Sequence, residues 1–210
     1  MSATDTVSSL QSTLLARFSY LTPRSGSADH PAVNVPAENL VSFATALRDE
    51  LGFDMLTDIA GADWDQESPR FAAVYHFVRT AKCEYLRVVC AAPDDVAPSI
   101  PSLVALYPSA NWFEREAHDM FGIDFAGHPD LRRILMWDSY PWHPLRKEFP
   151  LAGKETDIPS DDQIEGARTK VRPAPLAGGP FVATPGKTMH DGEPHGKDQS
   201  WNETQPKPTR

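Results

Sequence analysis

Two strand-like runs in the middle of the chain constrain the fold more than any other feature. Residues Phe71–Arg79 and Glu84–Ala91 are rich in β-branched and aromatic side chains, which favour extended structure. The four residues between them are too few for a crossover between parallel strands, so the two runs predict an antiparallel hairpin. A third run, Met55–Trp64, predicts another strand of the sheet.

Helical apolar spacing precedes the sheet in two places. Residues 5–18 predict one helix, and Leu40–Leu51 predicts a second, with Pro36 in its first turn and Gly52 stopping it. A short strand, Ala32–Val35, is predicted between the two helices. Helices mixed with strands in this order predict an α+β fold, a mainly antiparallel sheet with packed helices.

The end of the chain differs in composition from the rest. Residues 173–210 include seven Pro and five Gly, and Phe181 and Trp201 are their only aromatic residues. Such a segment cannot bury enough apolar surface to fold on its own. With 210 residues and 40% hydrophobic content, we expect one α+β domain over residues 1–156. Residues 157–210 are expected to form an extended tail that wraps partner proteins, with the two aromatic residues as anchors.

The charge balance excludes nucleic acid as a partner. The formal net charge is −9 and the sequence pI is about 5.2, whereas nucleic-acid binding needs a net basic face. No apolar run approaches the length of a membrane span, and no signal peptide opens the chain. We therefore expect a protein of the cytoplasm that reaches a membrane only through its partners.

The two cysteines do not predict a redox site. Cys83 and Cys90 are seven residues apart and are expected in one strand, on opposite faces, as small hydrophobes in a reducing compartment. An iron–sulfur cluster needs about four thiolates, and a flavin or nicotinamide site needs a glycine-rich turn from a strand into a helix. The sequence has neither, so we expect this chain to bind no cofactor and to hold no redox centre.

Residues 111–151 are rich in aromatic and charged side chains at once. They hold eight of the chain's twenty Phe, Trp and Tyr residues, with four Arg and a single Lys. Trp, Tyr and Arg are the types that anchor protein interfaces. Seven acidic residues lie among them, and interface cores lack acids unless each is paired with a base. An interface is therefore predicted if the acids are paired.

Within this stretch, Trp112–Phe121 predicts a helix, with Ser109 as its N-cap and Gly122 as its left-handed C-cap. At about 100° per residue, its apolar side chains form one arc, which contains Trp112, Phe113, Ala117, Met120 and Phe121. Glu116 falls inside this arc. We therefore expect Glu116 to be buried and to accept a bond from Arg132, Arg133 or Arg146.

The remaining charged residues of this helix are expected on its surface. Glu114 with His118 and Arg115 with Asp119 are each four residues apart, a spacing that allows weak pairing. Beyond the helix, residues 128–130 (His-Pro-Asp) predict a turn, in which the histidine forms hydrogen bonds.

A metal site is the alternative for the histidines. A free-standing metal hydrolase would use His118, Asp119 and His128, but these residues lack the i, i+4 helical pair of the HExxH motif. Metal analysis of the purified chain distinguishes this alternative from an interface.

Four short motifs follow one another in the stretch. They are Glu114-Arg115-Glu116, Asp119-Met120-Phe121-Gly122, Gly127-His128-Pro129-Asp130-Leu131-Arg132-Arg133-Ile134-Leu135 and Pro144-Leu145-Arg146-Lys147-Glu148-Phe149-Pro150-Leu151. This order closely resembles the signature of the C subunit, the 30 kDa subunit family, of proton-pumping NADH:quinone oxidoreductase, which is respiratory complex I. The resemblance implies partner contacts or signature ion pairs for Glu114, Arg115, Glu116, Asp119, Phe121, Gly122, His128, Pro129, Asp130, Leu131, Arg132, Arg133, Pro144, Leu145, Arg146 and Lys147, and for Phe181 and Trp201 in the tail.

The resemblance also implies a function. The chain would be a non-catalytic, structural subunit of the peripheral arm, docked principally against the D subunit near the quinone-reducing module and also near the B and I subunits. The complex would hold FMN, iron–sulfur clusters and quinone in other subunits, and would couple electron transfer from NADH to quinone to proton pumping. Its place would be the cytoplasmic side of the inner membrane. The same signature is similar to that of subunits of membrane-bound hydrogenases and related dehydrogenases, which are the nearest alternative.

Overall fold

A computed structural model describes residues 3–24, 30–65, 67–150, 153–154, 156–157 and 170–171. The chain divides into two compact units, Met1–Met136 and Trp137–Arg210, and each is described by itself. The first unit contains α1 (Ala3–Arg17), β1 (Thr22–Pro23), β2 (Ala32–Asn34), a 3-10 turn (Ala37–Asn39), α2 (Leu40–Asp49), β3 (Met55–Asp63), β4 (Phe71–Arg79), a second 3-10 turn (Thr80–Lys82), β5 (Glu84–Ala91), β6 (Ser99–Pro101), α3 (Ala110–Phe121) and β7 (Asp124–Ala126). The second contains an antiparallel pair, β8 (Thr156–Asp157) and β9 (Lys170–Val171).

A five-stranded sheet in the order β1-β2-β5-β4-β3 organises the first unit. Strands β3, β4 and β5 are antiparallel neighbours, with Ile59 opposite Tyr75 and Tyr75 opposite Val88. Strand β2 joins β5 in parallel, with Val33 opposite Val88, and β1 pairs antiparallel with β2. The predicted hairpin, the third strand and the α+β class are thus confirmed.

One face of this sheet forms the hydrophobic core. Tyr75 and Phe77 of β4 are at most 1% exposed, and they belong to the same cluster as Phe43 of α2 and Leu14 of α1. Because successive side chains of a strand point to opposite faces, His76 lies on the other face, where it is half-buried.

The two helices predicted before the sheet are present. Helix α1 covers most of residues 5–18, and Pro36 is followed by the short 3-10 turn that leads into α2. Gly52 has φ 72°, a left-handed conformation that favours glycine, so the chain turns there into β3.

Helix α3 ends as predicted but begins differently. Gly122 has φ 71° and ψ 28°, and its N–H donates to the carbonyl of His118 at 2.8 Å, as a left-handed C-cap does. Ser109 stands at the N-cap position, but its hydroxyl donates to the carbonyl of Leu56 at 3.0 Å. Ser109 therefore ties the start of α3 to β3, and the prediction that its side chain caps the helix is wrong.

The prediction that both cysteines lie in one strand is wrong for Cys83. Cys83 follows the second 3-10 turn with φ 52° and is exposed, just before β5 begins. Cys90 lies in β5 and is buried. Burial raises the pKa of the Cys90 thiol to about 12. Cys90 is therefore the small buried hydrophobe that the sequence predicts, and Cys83 is not.

Within the described ranges, no helix combines the length and the apolar character that crossing a bilayer requires. Phe181 and Trp201 lie outside the described residues, as does most of the predicted tail. The domain boundary after residue 156 and the extended form of the tail therefore stay predictions.

Candidate functional site

The signature stretch is built around α3, which packs closely against β3. Gly61 of β3 makes this approach possible, because a Cβ at this position would overlap the ring of Phe121. Ala110 and Ala117 of α3 are also buried, with exposures of 0% and 2%. Strand β3 therefore supports α3 at close range.

Asp119 joins α3 to the loop that follows β7. Its carboxylate is fully buried, and Oδ2 accepts the backbone N–H groups of Ile134, Leu135 and Met136 at 3.0, 2.7 and 2.8 Å. Oδ1 accepts a bond from the Arg133 guanidinium at 2.5 Å. Burial alone would raise the pKa of Asp119, but these donors together lower it below the usual value. The carboxylate therefore stays charged and holds the backbone of residues 133–136, which we call the signature loop.

Arg115 binds the same segment from the other end. Its Nε donates to the carbonyl of Arg132 and its Nη2 to the carbonyl of Arg133, both at 3.1 Å. Its guanidinium carbon also lies 5.2 Å from the ring centroid of Trp112. Arg115 is 6% exposed, whereas Trp112 is 61% exposed. The arginine therefore fixes the loop backbone and holds an exposed indole in place.

His128 forms the predicted hydrogen-bonded turn. Its Nδ1 accepts the N–H of Asp130 at 3.0 Å, because a backbone N–H can only donate. Its Nε2 lies 3.2 Å from the carbonyl of Asn111, so we assign the proton to Nε2. Both ring nitrogens are thus engaged by the backbone of the turn and of α3.

Glu114 is the second fully buried acid of α3. Its carboxylate accepts the hydroxyl of Ser102 at 2.6 Å and the N–H of Leu103 at 2.7 Å. Burial raises the pKa of Glu114 to about 7, although both hydrogen bonds act to lower it. Glu114 therefore ties α3 to the segment after β6, and its charge changes near neutral pH. The sequence gives no indication of this contact, because Ser102 and Leu103 lie eleven or more residues away.

The predicted orientation of α3 is wrong for its charged side chains. Glu116 and Trp112 are exposed instead of buried. The expected surface pairs of Glu114 and Arg115 are wrong as well, since both side chains are buried and bind partners outside the helix. The reason is that α3 is buried on two sides: the core covers Glu114, Ala110 and Ala117, and the signature loop covers Arg115 and Asp119.

The other signature residues of the first unit surround this arrangement. Phe121 and Leu131 are partly buried against the core, and Gly122 ends α3. Pro129, Asp130 and Arg132 are exposed, and Arg132 donates to Asp130 at 2.9 Å. Leu135 is 62% exposed although its backbone N–H is held by Asp119.

In the second unit, the aromatic residues form a series of ring contacts. The ring centroids of Trp137 and Tyr140 are 4.8 Å apart, those of Tyr140 and Trp142 are 5.5 Å apart, and those of Trp142 and Phe149 are 6.2 Å apart. Nζ of Lys154 lies 5.2 Å from the Trp142 centroid. These contacts order the segment that carries the last signature motif.

That last motif is more exposed than α3. Leu145 is 53% exposed, Lys147 is exposed and Pro144 is half-buried. Arg146 lies 3.8 Å from the carboxylate of Glu148.

The side chains of α3 and of the His128 turn mainly hold backbone segments in place, and this arrangement does not resemble a catalytic site. The polar atoms of Arg115 and His128 bind backbone groups. The carboxylate of Asp119 binds backbone N–H groups and the guanidinium of Arg133. Across the part of the chain that the structure describes, no three His, Cys, Asp or Glu side chains come together as a candidate metal site. The arrangement does not favour the hydrolase alternative, since Asp119 is enclosed by donors and both nitrogens of His128 are engaged.

A model of one protein family matches this part of the chain and the sheet before it. The family is described as "Respiratory-chain NADH dehydrogenase, 30 Kd subunit", and the match covers residues 33–155. The chain belongs to this family.

Curated relatives support the same assignment, and each is the C subunit of an NADH-quinone oxidoreductase. The relative from Phenylobacterium zucineum is 45% identical over 130 residues, which is 62% of this chain and 61% of the relative. The relative from Burkholderia thailandensis is 47% identical over 127 residues, 57% of this chain and 64% of the relative. The chain thus spans somewhat less than two thirds of the length of these relatives.

Two solved structures share the fold. A trypsin-resistant fragment (1-134) of Nqo5 is 32% identical, with a TM-score of 0.51, and the match covers 58% of this chain and 98% of the fragment. A chain of the membrane-bound sulfane sulfur reductase, an archaeal respiratory membrane complex, is 24% identical with a TM-score of 0.59, covering 69% of this chain and 85% of that chain. At this identity the second likeness concerns the fold alone.

Proposed function

We propose that this chain is a structural subunit of a proton-pumping NADH:quinone oxidoreductase, respiratory complex I. Membership of the 30 kDa subunit family and the names of its relatives support this role. In the proposed assembly the chain lies in the peripheral arm, on the cytoplasmic side of the inner membrane. It docks principally against the D subunit near the quinone-reducing module, with the B and I subunits as further neighbours.

The observation that carries this proposal is a pair of exposed apolar side chains on a rigid support. Trp112 and Leu135 are 61% and 62% exposed. The Arg115 guanidinium lies against the indole, and Asp119 holds the backbone N–H of Leu135. Side chains that are fixed before binding lose little conformational freedom in a complex, which suits them as interface anchors. The buried charges of Arg115 and Asp119 thus hold Trp112 and Leu135 in place on a docking surface.

The proposed contribution is geometric, without electron carriers on this chain. An iron–sulfur cluster needs about four thiolates, whereas the chain has two cysteines. Cys90 is buried, and burial raises the pKa of its thiol to about 12, which disfavours a thiolate ligand. These residues do not fit a cluster, so FMN, iron–sulfur clusters and quinone are assigned to other subunits of the proposed complex.

Affinity purification of the tagged full-length chain from membranes of its native host tests the proposal. We expect the other subunits of an NADH:quinone oxidoreductase to co-purify, together with NADH:quinone reductase activity. Trp112→Ser and Leu135→Ser should each reduce the yield of co-purifying subunits. Val96→Ser is the matched control, because Val96 is 93% exposed in a different loop. Co-purification unchanged by either variant would contradict the proposed docking surface.

The same purification distinguishes the nearest alternative. A chain of the sulfane sulfur reductase complex shares the fold alone, and a subunit of a related membrane-bound hydrogenase or dehydrogenase is the alternative to complex I. Co-purification of hydrogenase-type subunits, without the NADH-oxidising ones, would replace complex I with that assembly.

The tail has a separate role in the proposal. A segment with seven Pro and five Gly in residues 173–210 depends on a partner for ordering, with Phe181 and Trp201 as anchors. The trypsin-resistant fragment of Nqo5 matches 58% of this chain, which fits a core followed by a cleavable segment. We expect protease to cut the isolated chain after about Pro173, and the complex to protect these sites. A chain truncated before Pro180 should assemble less well, and undiminished assembly would contradict the proposed role of the tail.

A further inference from the structure

The second face of the five-stranded sheet is only partly covered within the described residues. We define this open face by Asn34, His76, Tyr85, Arg87 and Val89, which lie on the side opposite the core. His76 is directly opposite Arg87, and Asn34 is directly opposite Val89. Tyr85 is 49% exposed, and Arg87 and His76 are half-buried. Two pockets open on this face, and they differ in chemistry.

The first pocket is basic. It has a volume of about 180 Å³, and its lining includes His30, His76, Tyr85 and Arg87. The Nε–H of Arg87 donates to Nε2 of His76 at 3.2 Å, so His76 is neutral and carries its proton on Nδ1. The ring of His30 stacks on Tyr85 with centroids 5.1 Å apart. One permanent cation and two imidazoles therefore surround a space large enough for a carboxylate group.

The second pocket is mainly apolar. It has a volume of about 290 Å³, and its lining includes Trp64, Pro69, Val89 and Arg24. The guanidinium carbon of Arg24 lies 5.1 Å from the ring centroid of Trp64, and the guanidinium also donates to Asn34 at 3.1 Å. Sites for drug-sized molecules have volumes of roughly 300–1,000 Å³. This pocket is at the lower limit, which suits one side chain better than a metabolite.

The spacing of the two pockets matches an extended peptide. Arg87 lines the basic pocket and Val89 lines the apolar one, and they are two residues apart on β5. Alternate residues of an extended chain lie about 6.6 Å apart on one side. A peptide along this face would therefore present one side chain to each pocket at a separation of about two to four residues.

The charges of the two pockets favour an acidic occupant. The chain carries a formal net charge of −9, yet both pockets contain arginine. Among the described residues of the sheet, Asp58 on β3 is directly opposite His76 and places one acid beside the basic pocket.

We propose that the open face of the sheet binds an extended acidic segment of a partner protein, which places a carboxylate against Arg87 and His76 and an aromatic or proline side chain beside Trp64. The two pockets, each taking one side chain of the segment, supply the specificity. This surface lies on a different part of the chain from Trp112 and Leu135. The inference therefore goes beyond the assembly role proposed above and does not depend on it.

His76 reports on the occupant. Burial and then the charge of Arg87 lower the pKa of His76 below its ordinary value, Asp58 raises it and His30 lowers it. A carboxylate in the basic pocket would raise the pKa of His76, whereas the charge of Arg87 lowers it. Binding of an acidic segment should therefore raise the pKa of His76, measured by NMR titration of the imidazole in the full-length chain.

Peptide binding to the full-length chain tests the proposal directly. The probe is a labelled peptide of about ten residues in which every second residue is Trp or Glu and the others are Ser. Its control carries Gln in place of Glu. We expect the Glu peptide to bind about tenfold more tightly than the Gln peptide, as a charge-assisted hydrogen bond predicts. Arg87→Gln should abolish this preference, and Trp64→Ser should weaken both peptides.

Arg17→Gln is the matched control, because Arg17 lies on α1 and pairs with Glu50. Equal affinity of the two peptides for the wild-type chain, or a preference that survives Arg87→Gln, would overturn the proposal. If Arg87→Gln does not fold, the shift in the pKa of His76 on adding the Glu peptide to the wild-type chain decides, and no shift counts against the proposal. Inorganic phosphate that binds at His76 while the Glu peptide does not would reduce the site to one for small anions.

Discussion

Asp119 and Glu114 are two carboxylates on one helix, five residues apart and both 0% exposed, yet their acidities move in opposite directions. The pKa of Asp119 is lowered below its usual value, whereas the pKa of Glu114 is raised to about 7. Burial disfavours the charged form at both positions. The difference therefore comes from what each pocket offers the charge.

The Asp119 pocket offers more donors. Three backbone N–H groups and the Arg133 guanidinium all bind its carboxylate. Glu114 has one hydroxyl and one N–H among the described residues. A carboxylate has about four lone-pair sites. The hydrogen bonds to Asp119 thus offset the cost of burying its charge, whereas those to Glu114 offset this cost only in part.

This difference separates two roles on α3. Asp119 is a permanent anion that fixes the signature loop at any physiological pH, which suits a docking surface that needs one shape. Glu114 holds the segment after β6 with a group that is charged in only part of the population near neutral pH. We therefore expect changes at Asp119 to affect the signature loop at every pH. Changes at Glu114 should alter how the free energy of unfolding depends on pH.

The largest effect is expected for Asp119→Asn. The amide keeps the shape of the side chain but removes the buried charge that pairs with the partly buried guanidinium of Arg133, and breaking a buried pair costs about 3–5 kcal/mol. Urea denaturation of the purified chain measures the free energy of unfolding. Asp138→Asn is the control, because Asp138 is exposed. Equal losses for the two variants would show that the Asp119 donors do not compensate its burial.

A smaller effect, confined to a pH range, is expected at Glu114. Its folded-state pKa is raised from 4.5 to about 7, so its contribution to stability is fully present below about pH 4.5 and is lost as the pH rises through about 7. The full shift corresponds to roughly 3 kcal/mol at about 1.36 kcal/mol per unit. Glu114→Gln should remove this part of the pH dependence, measured as the difference in unfolding free energy between variant and wild type from about pH 4 to 8. A pH-independent difference would mean that Glu114 is charged throughout, as Asp119 is.

Gly61→Ala tests the contact on which both carboxylates depend. A Cβ would overlap the ring of Phe121, so the ring or α3 has to move. Such overpacking costs about 1–3 kcal/mol. The loss should be smaller in a Phe121→Ala background, where the space is open, and thermal denaturation of the four chains of this double-mutant cycle measures the coupling. If the stability losses of the two substitutions were additive, Gly61 and the ring of Phe121 would not be in close contact.

The sequence predicts much of this framework because local residue types determine it. The bounds of β4 and β5 follow from two runs of β-branched and aromatic residues, and the end of α3 follows from Gly122, whose left-handed conformation favours glycine. The His128 turn is predictable for a similar reason, since the proline after it restricts its backbone. In each case the information lies within a few residues.

The orientation of α3 could not be predicted in this way. Apolar periodicity assumes that one side of a helix is buried and that its charges face water. Here Glu114, Arg115 and Asp119 are buried because donors and acceptors from distant segments satisfy them. Gly61, a glycine inside a strand, is the one local sign of a close backbone approach. Nothing in its neighbourhood indicates that Phe121 is the partner.

The smallest effect on stability is expected for Glu116→Gln, which extends the comparison to the third acid of α3. Glu116 is exposed, and substitutions at exposed positions change the free energy of unfolding by about 0.5 kcal/mol or less. Its position near Trp112 on the exposed side of α3 gives it a different use, as a charge at the edge of the proposed docking surface. Rim charges act mainly on association rate and salt dependence. We therefore expect Glu116→Gln to leave urea denaturation of the isolated chain unchanged while it lowers the yield of co-purifying subunits at low salt. A loss of stability as large as that of Asp119→Asn would instead place Glu116 in the interior of the protein.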